Sequence, residues 1–407
     1  ILTTAIEETV FTEIMATRPL ISQVDIPLCV PAIYGNEWKY VKECLDTNWV
    51  SYVGPFVGRF EEAVAKYVGT KYAVATVSGT AALHTALLVA GVESDDEVLV
   101  STLTFISPAN VIRYVGAWPV FIDAEPHYWQ IDPDKIVDFL EKECRWSDGG
   151  LYNKVTGRRI KAVLPVHILG HPVDMTPILE VAGKYNLVVI EDAAESLGAK
   201  YKGKQVGHLG HIACFSFNGN KVATTGGGGM IVTDNESWAR RAKYLTTQAK
   251  DDRLEYVHNE IGYNYRLTNI QAAMGVAQME QLDSFVLKKR QIAAAYADGL
   301  GDLQGLSLMP EAKFAFSTYW LYTVLHNMAD GERDSRHLIS ELHERGIQSR
   351  PLWMPAHRQE RYEVCSFYGS GCADQLHRMA LQLPSSVGIT AQEIEYVITA
   401  LRAACVK

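Results

Sequence analysis

The chain has 407 residues, 48% hydrophobic and 21% charged, which is ordinary for a globular protein and sufficient for two or three domains with a large core. A formal net charge of −9 argues against a general nucleic-acid binder, and no apolar run reaches the roughly 18–20 residues that span a bilayer. The seven cysteines (Cys29, Cys44, Cys144, Cys214, Cys365, Cys372 and Cys405) are scattered, odd in number and without a CxxC pair, which points to reduced thiols in a cytoplasmic protein.

Residues 1–25 read as an N-terminal extension, with Glu7, Glu8 and Glu13 on a short amphipathic helix unlike a signal peptide. From about 70 to 235, apolar β-branched runs alternate with helical ones. Strands are expected at 71–77, 97–101, 118–124, 160–169, 186–194, 212–217 and 229–234. Helices are expected at 78–91, 107–116, 133–144 and 174–185, with no long helix between the last two strands. Near-continuous apolar strands alternating with helices define an α/β chain whose mainly parallel sheet lies between helices. Residues 236–249 and 268–300 read as long helices. Beyond them, a strand at 317–325, a helix at 335–346, a strand at 347–352 and a helix at 391–403 suggest a small C-terminal α+β domain. The expected division is therefore 26–305 and 306–407.

Three stretches carry chemistry. "VSGTAAL" runs from strand through Ser78, Gly79 and Thr80 into a helix, whose free N–H groups and dipole suit a phosphate; the same residues also suit an ordinary helix cap. "VVIEDAAES" places Glu191 and Asp192 at the carboxyl end of a buried strand, where ligand crevices of open α/β sheets lie. Asp192 is the better partner for a cationic ring nitrogen, and Glu191, pointing the other way, suits a structural role. "FSFNGNKVATTGGGGM" sets Lys221 between a Phe-rich strand and the glycines 226–229. A single lysine is most often solvated, but a buried one is a nucleophile for a Schiff base. Phosphate anchor, carboxylate and lysine, in this order, are the parts of a pyridoxal phosphate enzyme.

Two other patterns are set aside. "GAKYKGKQ" (198–205) is one residue from a phosphate-binding P-loop, but Gln205 replaces the hydroxyl that holds Mg²⁺ and the segment suits a hairpin turn. His167/His171 and His208/His211 have no acid or cysteine at ligand spacing, so no metal site is expected.

From Ile26 onward the chain resembles the DegT/DnrJ/EryC1/StrS family of fold-type I sugar aminotransferases, through "SGTAALHTAL", "PVHILGHPVDM", "VIEDAAESLGAKYKGK", "FSFNGNK", "TTGGGGMIVT", "EIGYNYRLTNIQAAMG" and "GIQSRPLW". The resemblance implies pyridoxal 5'-phosphate as cofactor, alternating with its pyridoxamine form. Lys221 would be the Schiff-base lysine and proton carrier, and Asp192 the partner of the ring nitrogen. Phe105 would stack on the ring, and Gly79, Thr80 and Ser216 would bind the phosphate. Asn264, with Arg266 close by, would reach a phosphate across the interface of a homodimer. Glu195 would lie near the ring hydroxyl. Arg350 is a candidate for a diphosphate or sugar contact, or else a strand-end ion pair, and Trp353 for a stacking surface. His167 would contact substrate or hydrogen-bond the neighbouring loop.

The implied reaction moves the amino group of L-glutamate to C4 of a nucleotide-linked 4-keto-6-deoxy sugar for cell-surface glycan synthesis. "NGNKVATTGGGGM" and "LTTQAKDD" resemble the subgroup using UDP-4-keto-6-deoxy-N-acetylglucosamine, as in legionaminic acid and bacillosamine pathways. "YWLYTV" and "SRPLWMPAH" are similar to perosamine synthases, which use a GDP-linked sugar, GDP-4-keto-6-deoxymannose. Lys221 argues against the family's dehydratases, which carry His in its place. A non-catalytic binding protein on the same fold and an enzyme for a free amino acid are the other classes open.

Overall fold

The structure, a computed structural model, describes residues 26–252, 254–327 and 334–405; the expected extension 1–25 lies outside the described residues. Its centre is a ten-stranded sheet. Across the sheet, eight strands run Tyr72–Thr76, Gly229–Thr233, Ile212–Ser216, Val188–Asp192, Arg159–Leu164, Glu97–Ser101, Trp118–Ile122 and Ser366–Tyr368. All neighbours from Ile212–Ser216 to Ser366–Tyr368 pair in parallel, while Gly229–Thr233 is antiparallel to both strands beside it. The connection before Gly229–Thr233 holds no helix, and the chain returns antiparallel without the helical crossover that a parallel return usually takes.

The strands are apolar on both faces because helices cover both. Val98 and Val100 pack into one buried cluster and Leu99 into the other, as the two-residue period of a strand requires. Among the described residues no helix is long and apolar enough to cross a membrane.

Several sequence expectations change. Residues 133–144 do not form one helix: Pro133–Asp138 is α-helical, Phe139–Glu143 is wider-wound, and Cys144 opens a strand. That strand pairs with Gly150–Asn153 around Asp148-Gly149, both at positive φ, the dipeptide that two-residue hairpins favour. The long helical stretch at 268–300 breaks after Met279 into Asn269–Met279 and Leu282–Leu300. Only Thr323–His326 of 317–325 is strand, and 347–352 makes isolated bridges from Ile347 and Arg350, with Pro351 lacking the N–H that a ladder needs. "GAKYKGKQ" folds as a two-strand hairpin, Lys200–Tyr201 against Lys204–Gln205. The division expected at 305 is not a clean one, because Ser366–Tyr368 extends the large sheet beside Trp118–Ile122.

Gly229 is held by contact. A Cβ there would stand 2.2 Å from the carbonyl oxygen of Ser78 and 2.6 Å from Thr76 Oγ1. Gly229→Ala should therefore destabilise the fold by about 1–3 kcal/mol through overpacking, read as a lower midpoint of denaturant unfolding.

Candidate active site

The carboxyl ends of the strands Tyr72–Thr76, Glu97–Ser101, Arg159–Leu164, Val188–Asp192 and Ile212–Ser216 share one edge of the sheet. A cavity of about 800 Å³ opens there, lined by segments following each of these strands and by residues of the C-terminal region. Gly79, Thr80, Phe105, Asp192, Glu195, Ser216, Lys221, Arg350 and Trp353 all line it. His167 and Asn264 do not.

One wall is the start of the helix Gly79–Val89. Ser78 is extended and accepts from Ala81 N at 3.1 Å, so the first turn begins as a capped helix with its remaining N–H groups directed outward. Thr80 Oγ1 and Ser107 Oγ lie 2.7 Å apart. Gly79 cannot carry a side chain here: its Cβ would stand 2.9 Å from Ser216 Cβ. Hydroxyls, a helix N-terminus and close backbone form a donor set that suits a phosphate dianion. Of the four glycines after Lys221, Gly228 and Gly229 are closely packed, whereas Gly226 serves a positive φ of 77° with nothing within 4 Å of its Cβ position.

The floor carries the charges. Asp192 is buried, takes its own-loop Ala194 N–H at 3.0 Å, and is pushed up to about 6 by burial. Glu195 is also buried and raised by burial, partly offset by Lys221. Its Oε2 accepts from Leu169 N at 2.8 Å and its Oε1 faces Lys221 Nζ at 3.4 Å. Lys221 is 14% exposed, and its Nζ lies 4.0 Å from the centre of the Trp320 ring. The Trp320 indole N–H donates to Asn220 O at 2.7 Å, which locks the ring over its neighbour Lys221. Trp320 is the site residue that the sequence missed; in "STYWLYTVL" it reads as one more core aromatic. Phe105, 56% exposed, stands at the mouth.

His167 corrects the substrate reading and takes the other role expected of it, a hydrogen bond with the neighbouring loop. It is fully buried, with Nε2 3.1 Å from Glu191 Oε2 and Nδ1 accepting from Val173 N at 3.0 Å. Both ring nitrogens are thus engaged beneath the cavity, leaving none for a substrate. Burial opposes the charge of Glu191, but His167 and backbone N–H groups of the 207–210 turn hold its pKa below the ordinary value. Arg266 is engaged away from the cavity, with Glu61 at 3.1 Å, and Asn264 is exposed. Arg350 is exposed and, among the described residues, makes no ion pair, so the strand-end alternative finds no partner. Among the described residues no group of three or more His, Cys, Asp or Glu could hold a metal ion.

The cavity thus has an anion-binding end, a buried carboxylate able to face a cationic ring, and an amine that can attack a carbonyl. These fit a phosphorylated pyridine aldehyde, and the comparisons with known proteins agree. The DegT/DnrJ/EryC1/StrS aminotransferase family matches residues 31–402. EpsN of Bacillus subtilis (strain 168), provisionally named a pyridoxal phosphate-dependent aminotransferase, is 41% identical over 381 residues, covering 92% of this chain and 95% of its own. The GDP-perosamine synthase of Caulobacter vibrioides is 40% identical over 378 residues, covering 92% of this chain and 97% of its own. The crystal structure of S. venezuelae DesV is similar with a TM-score of 0.81 at 30% identity, covering 91% of this chain and 95% of that one. The chain belongs to the DegT/DnrJ/EryC1/StrS aminotransferase family. It is a pyridoxal phosphate-dependent sugar aminotransferase.

Asp192 generates a pH prediction. Its folded pKa of about 6 lies above its ordinary 3.8, so the unfolded chain releases the proton first. In cofactor-free protein the Asp192 contribution to stability is then highest below 3.8 and falls as pH rises to about 6. Asp192→Asn should remove that part of the fall, seen as a wild-type-minus-variant difference in denaturation midpoint that decreases steadily as pH rises across this window. A difference that stays flat with pH refutes the burial of an unpaired carboxylate.

Proposed function

We propose that this enzyme moves the amino group of L-glutamate to C4 of GDP-4-keto-6-deoxymannose, in the cytoplasm, for cell-surface glycan synthesis. The observation that carries the transamination is Lys221 Nζ, held between Glu195 and Trp320 in the cavity that Asp192 also lines. The nucleotide rests on the relatives, two of which, at 39% and 40% identity, are named GDP-perosamine synthase. The UDP-linked substrate expected from "NGNKVATTGGGGM" and "LTTQAKDD" gives way to it.

When bound, the pyridoxal group supplies an electron sink for the carbon that carries the transferred nitrogen. Asp192 would hold the proton of the ring nitrogen, and a cationic ring would in turn stabilise this buried carboxylate in its charged form. Gly79, Thr80 and Ser216 would hold the phosphate, and Phe105 would cover the ring. Lys221 Nζ would take the proton from the α-carbon of glutamate and later deliver one to C4 of the sugar. Glu195, fixed by Leu169 N–H, would orient that amine, and Trp320 would keep water from it. Arg350, free of ion pairs among the described residues, would meet the diphosphate, with Trp353 beside it as a stacking surface. Asn264 lies outside the cavity of its own chain, which supports a role in the second site of a homodimer.

The purified protein should be yellow and bleach with L-glutamate; a colourless protein that ignores added cofactor would sink the reading. Lys221→Ala should abolish turnover. With glutamate as donor, GDP-4-keto-6-deoxymannose should be aminated in preference to the UDP- and dTDP-linked 4-keto-6-deoxy sugars. Preference for UDP would return the substrate to the other subgroup. Arg350→Ala should raise KM for the nucleotide sugar about tenfold with a smaller change in kcat, the loss of one charged hydrogen bond.

A further inference from the structure

Cys29 and Lys289 take no part in the steps above, yet they meet behind the Lys221 loop. Lys289 lies in the helix Leu282–Leu300 and is 1% exposed. Its Nζ donates to Trp320 O at 2.7 Å and to Ser385 O, and stands 3.5 Å from Cys29 Sγ. None of these contacts is a carboxylate. Burial pushes its amine below the ordinary lysine value, which favours the neutral form with a free electron pair. Cys29 is half-buried, so small oxidants can reach it, and its thiol donates to Asn220 O at 3.3 Å.

We infer that Cys29 and Lys289 form a modification site at which a peroxide joins the two side chains through one oxygen atom, Sγ–O–Nζ. In the first step the thiol is oxidised to a sulfenic acid, R–SH + H₂O₂ → R–SOH + H₂O. In the second the amine is bonded to that oxygen, R–SOH + R′–NH₂ + H₂O₂ → R–S–O–NH–R′ + 2 H₂O. Two electrons leave the amine nitrogen as the N–O bond forms and reduce the second peroxide. The protons lost from the sulfenic oxygen and from nitrogen leave in water. Both bonds draw Sγ and Nζ together, but an oxygen bridge spans more of the 3.5 Å gap than a direct S–N bond and so asks less movement of residue 29 and the buried helix.

The bridge reaches the active site through two carbonyls. It consumes the thiol hydrogen that Asn220 O accepts and leaves Nζ a single N–H for the two carbonyls, Trp320 O and Ser385 O, that it now holds. Asn220 precedes Lys221 and also takes the Trp320 indole N–H, so both supports of the Lys221 amine loosen together. Oxidation therefore lowers turnover, and reduction of the bridge restores it. This effect on turnover rests on the role of Lys221 proposed above; the cross-link itself does not.

Holoenzyme treated with a small excess of hydrogen peroxide should be digested and sequenced by mass spectrometry. The expected product is a peptide pair joining Cys29 to Lys289, heavier than the two by one oxygen less two hydrogens, and lost on treatment with dithiothreitol. Turnover should fall about tenfold, the equivalent of one or two neutral hydrogen bonds, and recover with the reductant. Cys29→Ser keeps a donor for Asn220 O, so it should retain basal activity, form no bridge and resist this inhibition. It carries the test even where a Lys289→Met variant fails to fold. A Cys29 sulfinic acid beside free Lys289, a pair joined without added oxygen, or inhibition unchanged in Cys29→Ser overturns the inference. A protein that forms the cross-link but shows no aminotransferase activity even before peroxide is added overturns the proposed reaction instead.

Discussion

The carboxyl edge of the sheet sets the positions of Asp192 and Ser216 and anchors the segments that carry Gly79, Phe105, Glu195 and Lys221. Val188–Asp192 is hydrogen-bonded on both sides by parallel neighbours, so Asp192 has no freedom to move along the strand direction. Ser216, at the end of the adjacent strand, is fixed by its pairing with Gly229 and packs under Gly79. A register slip of one residue would turn Asp192 into the layer where Glu191 now sits. The two adjacent acids show how much that matters. Glu191 is saturated by His167 and three backbone N–H groups, whereas Asp192 has one N–H and a cavity.

Burying Asp192, Glu195, Lys221 and Lys289 opposes stability, since each charged group loses water. The structure offsets this unequally. Glu195 and Lys221 face each other at 3.4 Å, and Lys289 is bonded to two carbonyls, while Asp192 is left short of donors. The strain of an under-solvated carboxylate is concentrated where a cationic ring would sit. Sites that bind cofactors tightly are built this way, with the partner group completing an electrostatic arrangement that the protein alone leaves open.

Much of this was legible in the sequence, and the reasons are local. Continuous apolar runs revealed the buried strands, and "SGT", "EDAAES" and "NGNK" revealed the strand ends that carry the chemistry, because each lies within a few residues of its own strand. What sequence hid depends on packing between distant segments. Trp320 lies about a hundred positions from Lys221, and nothing in "STYWLYTVL" marks it as more than core. The pairing of Cys29 with Lys289 is equally silent, since a helical lysine normally reads as surface. His167 left two roles open because a strand-end position does not reveal which way the ring turns; here a buried Glu191 and the loop at Val173 claim it. The Asp148-Gly149 dipeptide is itself a hairpin signal, but the helical composition before it runs on past the wide turn at 139–143 and masks it.

Ser366–Tyr368, the outermost strand of the large sheet, is drawn from the far end of the chain. During synthesis the strand Trp118–Ile122 therefore emerges some 240 residues before the neighbour that covers it. Until then it presents an exposed row of backbone donors and acceptors to any other extended segment. A nascent chain that halted after residue 330 would hold most of its core and an open sheet edge at once, a combination prone to joining other chains. The strand Ser366–Tyr368 thus does more for this protein than widen its sheet. It covers a sheet edge that would otherwise stand open, which makes truncation ahead of it a hazard for solubility before it is one for catalysis.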